Sequence, residues 1–88
     1  MKYTVVWARA AEIALADVWL RASDRRVIAD AARSIDRALQ FDPVEIGESR
    51  EFNQRVVFVP PLAVLYIVQP ADALVRVLRI WEIRRRES

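Results

Sequence analysis

The stretch from Val56 to Ala71 holds sixteen residues without a charged side chain, and it is cut by Pro60, Pro61 and Pro70. A membrane-spanning helix needs about twenty consecutive apolar residues. Proline removes a backbone donor and clashes with the preceding turn of any helix it interrupts. The apolar material must therefore lie in short extended pieces. Leu62–Val68 is continuously apolar and predicts a central strand covered on both faces or nearly so. Gln54–Val59 and Leu74–Ile83 read as strands on either side of it in sequence. Pro60-Pro61 and Pro70-Ala71-Asp72-Ala73 supply the two connections, short enough to make these three strands a meander.

The first half has a different period. Lys2–Trp7 alternates, with Tyr3, Val5 and Trp7 on one side, as a half-buried strand does. Ala8–Ala22 places Ala8, Ala11, Leu15, Val18, Trp19 and Ala22 at helical spacing, with Asp17 and Arg21 as an i,i+4 pair. Ser23-Asp24 suits the N-cap of a second helix, Asp24 to Gln40, whose apolar stripe is Val27, Ile28, Ala31, Ile35, Ala38 and Leu39. Asp42-Pro43 ends it, because a residue before proline is pushed out of the α region. A loop follows through Gly47, the only glycine and so the expected positive-φ position. The order β-α-α-β-β-β predicts an α+β domain over residues 1–88, a helical hairpin packed on one face of a mostly antiparallel sheet.

Composition narrows the chemistry. A chain of 88 residues, 55% hydrophobic and 30% charged, is one globular domain and not a disordered segment. It has no Cys and no His. That argues against a transition-metal site, Cys or His nucleophiles and a His general base, and no cofactor is implied. Without a signal-peptide pattern at Met1–Trp7, the chain reads as cytoplasmic, with no membrane partner. Net charge is only +2, but residues 75–88 carry five Arg against two Glu. Thirteen of the fourteen basic residues are Arg, which fits either polyanion recognition or a genome rich in Arg codons.

Three local features add to the element order: Gly47-x-x-Arg50 before the second predicted strand, Val64-Leu65-Tyr66 within the third, and a final strand running into Arg84-Arg85-Arg86. With that layout the whole chain resembles the RelE/ParE superfamily, the small toxins of bacterial type II toxin–antitoxin modules. The resemblance implies a cognate antitoxin partner that wraps the sheet or the helical hairpin. The family's ribosome-dependent RNases use basic side chains on the exposed sheet face, and many add a C-terminal Tyr or His. This chain departs from that pattern. Gln54 and Val56 stand where a basic pair is usual, Leu62-Ala63 where a Tyr-Arg step is usual, and Trp81-Glu82-Ile83 where Gly-Lys/His-Arg is usual, and no Tyr follows. The ParE-like branch, whose members inhibit DNA gyrase without catalytic residues, is closer through Pro61-Leu62-Ala63-Val64-Leu65-Tyr66. The resemblance therefore implies a ParE-like inhibitor. The alternatives are an mRNA endonuclease with relocated arginines (Arg50, Arg55, Arg79 and Arg84) acting on the ribosome and its message, or an interacting domain that has lost toxicity.

Candidate target- or RNA-binding residues are Arg55, Arg79, Trp81, Arg84, Arg85 and Arg86. The three terminal arginines suit either phosphates or an acidic partner, or form a solvated tail. Spacing places Arg76 and Arg79 on opposite faces of the last strand. Arg79, flanked by Val77 and Trp81, is the preferred groove residue, and Trp81 on the same face suits stacking or plain packing. Arg55 faces that groove or pairs with Glu51. Glu48, Arg50 and Glu51 supply a general base beside a cation, or loop ion pairs. Tyr66 reads as core with its hydroxyl tied off, and Trp7 and Trp19 as core between sheet and helices.

Overall fold

The structure is a computed structural model and describes residues 2–83. Alternation over Thr4–Trp7 produces β1, whose Val5 and Trp7 turn toward the core while Thr4 and Val6 stay exposed. The chain then enters α1, Arg9–Arg21, and after a three-residue link α2, Arg25–Phe41. Asp24 caps α2 as the sequence predicts: its carboxylate accepts from the backbone N–H of Arg26 at 3.1 Å and of Val27 at 3.4 Å. Asp17 and Arg21 form the expected i,i+4 ion pair at 2.7 Å.

Ile28, Ala31, Ile35 and Leu39 are the buried stripe of α2. Val27 belongs to the expected stripe but is 46% exposed, while its neighbour Ile28 is buried. Trp19 is likewise 40% exposed, and the Arg25 guanidinium sits 4.5 Å from its ring centroid. The indole thus lines the groove between the helices and is not enclosed between helices and sheet as expected.

Four further strands follow: β2, Glu48–Ser49; β3, Gln54–Val59; β4, Leu62–Gln69; and β5, Leu74–Glu82. The boundaries of β3 and β4 coincide with those read from sequence, and β5 stops one residue earlier. β2 is the element sequence reading did not supply. Two exposed polar residues carry no periodicity, and they become a strand only by pairing with Val56 and Arg55. The sheet order is β1-β5-β4-β3-β2, antiparallel except for the β1–β5 pair. β4 is thus central, and its Leu62, Ala63, Val64 and Tyr66 are buried. Leu65 and Ile67 are only half-buried, so the strand is covered on one face and not on both as the apolar run predicts.

Both helices cover one face of the sheet, α1 against β5 and α2 against β1, β3 and β4. Val57, Leu62, Val64, Tyr66, Val75, Val77 and Ile80 point toward them and close the core with the α2 stripe. Each large aliphatic side chain enclosed there contributes about 1.5–3 kcal/mol. No helix among the described residues lies over the opposite face of the sheet.

Candidate functional site

Which arginines reach that open face is decided by cross-strand register. β3 pairs Gln54 with Ile67, Val56 with Leu65 and Phe58 with Ala63, and these six side chains share the open face. Arg55 pairs with Tyr66 and so turns to the helix side. Its guanidinium donates to the carbonyl oxygens of Ile46, at 3.3 and 3.4 Å, and Gly47, at 3.0 Å, and to Ser49 Oγ at 3.0 Å. The Tyr66 hydroxyl donates to the Pro43 carbonyl at 2.7 Å and lies 3.0 Å from that of Ile46. Burial pushes this hydroxyl above the ordinary tyrosine range, with the neighbouring Arg55 guanidinium pulling the other way. Gly47, at φ 77°, fits this cluster because a Cβ there would meet the Val56 carbonyl oxygen at 2.7 Å and the Tyr66 hydroxyl at 2.8 Å. Arg55, Tyr66 and Gly47 therefore staple the 43–49 segment to the sheet. Arg55 does not share a groove with Arg79, nor does it pair with Glu51.

β5 corrects a second expectation. Leu65 pairs with Arg79, but the next residue, Tyr66, pairs with Val77, so Leu78 is an extra residue in a bulge. A regular strand would send residues three apart to opposite faces. The bulge inserts one residue and brings Arg76, opposite Ile67, and Arg79, opposite Leu65, to the same open face. Trp81, opposite Ala63, joins them and is 41% exposed. Neither Arg76 nor Arg79 pairs with an acidic side chain among the described residues.

The rim of this face comes from the β2–β3 connection. Gln54 N–H donates to the Glu51 carbonyl at 3.2 Å, closing a turn whose central residues, Phe52 and Asn53, both have φ 61°. That is the backbone of primed hairpin turns, whose twist suits the flanking strands. Arg50, Glu51, Phe52, Gln54, Val56, Phe58, Leu65 and Trp81 enclose an open cavity of about 530 Å³. Arg50 lies there but is engaged, donating to Glu48 at 3.1 Å. Of the sequence candidates, then, Arg50, Arg79 and Trp81 converge on the open face and Arg55 does not. Arg84, Arg85 and Arg86 lie outside the described residues.

Phe52 and Phe58 escaped the sequence reading. Alternation along β3 with Gln54 and Val56 was the available signal for Phe58. Phe52 gave none, since positive φ is unusual for a bulky residue.

The two helices frame a second, apolar groove of about 530 Å³, with Trp7, Leu15, Ala16, Trp19, Ile28 and Ala32 among its walls. No helix among the described residues is long and apolar enough to cross a membrane, and no group of metal-ligating side chains occurs among them.

No protein-family model matches the chain, and no curated protein matches it. Solved structures do. A chain of the RelBE2 toxin–antitoxin complex from Mycobacterium tuberculosis is 20% identical, with 93% of this chain and 92% of that one covered at a TM-score of 0.76. The chromosomal ParDE system of P. aeruginosa matches at 15% identity over 94% and 98% of the two chains, TM-score 0.74. The isolated E. coli RelE toxin matches at 15% over 97% and 88%, TM-score 0.66. With two helices on a five-stranded, mostly antiparallel sheet, the chain has the α+β fold of the RelE/ParE toxin superfamily.

Proposed function

We propose that this chain is the toxin of a type II toxin–antitoxin module and acts in the cytoplasm as a ParE-like inhibitor, by binding an essential protein such as DNA gyrase. The observation that carries the reading is the make-up of the open face. It joins aromatic and aliphatic surface to Arg76 and Arg79, while the tyrosine of β4 and the arginine beside it, Tyr66 and Arg55, are committed to the helix side. Cleaving RNA through its 2′-hydroxyl needs a proton acceptor and a cation aimed at the scissile phosphate. Glu48, the carboxylate nearest Arg50, is already ion-paired with it. A face of this kind is suited to binding and poorly equipped for proton transfer.

The endonuclease reading retains Arg50 and Glu51 around the cavity and Arg79 on the same open face, and loses Arg55 from its set. The proposed antitoxin seats on the interhelical groove, whose walls are apolar and whose edge carries Glu12 and Arg33. Toxin–antitoxin complexes among the structural neighbours support such a partner.

Inducible expression of the full chain, followed by primer extension on host transcripts and a plasmid supercoiling assay, tests the reading. Growth arrest with intact transcripts and impaired supercoiling is expected. Cuts at codon positions on ribosome-bound message would replace it with the endonuclease reading. Unimpaired growth would leave an interacting domain without toxicity.

A further inference from the structure

Phe52 is held at φ 61° and yet is 83% exposed. Left-handed backbone is costly for a residue with a bulky side chain, and burial does not offset that cost here. The neighbouring Asn53 shares the conformation, which asparagine tolerates far better. The turn thus displays an aromatic ring where folding alone favours Asn or Gly. Phe58, 51% exposed, and Trp81 stand with Phe52 around the same cavity, and Val56 and Leu65 line it as well. Rigid aromatic walls around an apolar floor are the usual make-up of a binding hot spot.

Charge says what fits beside it. The bulge at Leu78 sets Arg76 and Arg79 on one face, opposite Ile67 and Leu65. A guanidinium binds a carboxylate bidentately, and two on one face can hold a pair of carboxylates beside the apolar cavity. Single-stranded nucleic acid needs a continuous basic track for its backbone. This rim instead carries Glu51 and the Glu48–Arg50 pair.

We infer that the open sheet face seats a segment of a partner protein in which an apolar anchor is flanked by carboxylates. The anchor enters between Phe52, Phe58 and Trp81, and the carboxylates pair with Arg76 and Arg79. This rests on the reading of the chain as a binding toxin and names the chemistry of its target's contact segment.

The test uses the purified full chain against arrayed short peptides with a central Leu, Phe or Trp flanked by Asp/Glu, by Ser or by Lys, with a short single-stranded RNA of mixed sequence as competitor. Acidic-flanked peptides are expected to bind about tenfold or more tighter than Lys-flanked ones, and Arg79→Glu to reverse that order. Phe52→Asn is expected to lose about tenfold in peptide binding while melting no earlier than wild type, because Asn accepts the turn's backbone. A merely structural role for Phe52 would move the melt and spare the binding. Equal binding of acidic and basic peptides, RNA that outcompetes the acidic ones, or unchanged binding by Phe52→Asn would overturn the inference. Growth arrest by wild type without peptide binding also overturns it and leaves the toxin reading standing. Tight acidic-peptide binding by a chain that does not arrest growth supports the inference and removes the toxin reading.

Discussion

Gly47 shows how one residue can hold a loop to a sheet. Its φ of 77° and the absence of a Cβ let the Val56 carbonyl and the Tyr66 hydroxyl approach together. Gly47→Ala adds left-handed strain and two contacts below 3.0 Å. The expected loss is on the order of 2–4 kcal/mol, combining overpacking with the backbone penalty, read from urea midpoints at constant m-value. Tyr66→Phe removes the donor to the Pro43 carbonyl, while Arg55 still serves that of Ile46. About 1–2 kcal/mol should be lost at neutral pH. The same substitution changes the alkaline limb of stability. Burial raises the Tyr66 pKa in the folded state, so the folded protein holds that proton more tightly than the unfolded chain does. Its stabilising contribution is complete below about pH 10 and is lost as pH climbs through the folded-state value. Wild-type denaturation midpoints should fall across that window, and Tyr66→Phe should lack that component of the fall.

At the scale of elements, the helices are governed locally. α2 begins where Asp24 can accept two backbone N–H groups, and its buried stripe follows the helical period. Asp24→Ala should cost about 1 kcal/mol, seen as a lower thermal midpoint with an unchanged fold by circular dichroism. The strands are governed differently. Propensity and prolines set the ends of β3 and β4, so both were legible in the sequence to the residue. The face each side chain takes was not, because it depends on the partner strand. Sequence leaves Arg55 open between the Arg79 groove and an ion pair with Glu51, and pairing with Tyr66 sends it to the helix side. Spacing alone puts Arg76 and Arg79 on opposite faces, and the bulge at Leu78 unites them. A single inserted residue reverses every later side chain, and nothing in the run Val75–Trp81 announces it.

The whole molecule has a core shared by both helices and by β1, β3, β4 and β5, with no disulfide to reinforce it. Total stability for a domain of 88 residues is about 4–13 kcal/mol. Ile35, fully enclosed between α2 and the sheet, is the sharpest probe of that margin. Ile35→Ala should cost about 2–5 kcal/mol and shift the thermal midpoint by tens of degrees, or leave the chain unfolded at the lower end of that range. With so little reserve, the strained Phe52 turn stands out, since its exposed ring contributes no burial to the core. The two helices, the Asp24 cap, the limits of β3 and β4 and the positive φ of Gly47 were determined by the sequence, because each follows from neighbours within a few residues. The tertiary structure alone decided which arginines and aromatics meet on the open face. Strand register, the bulge and the pairing of β2 join residues far apart in the chain, and it is those pairings that place Phe52, Phe58, Arg76, Arg79 and Trp81 on one surface.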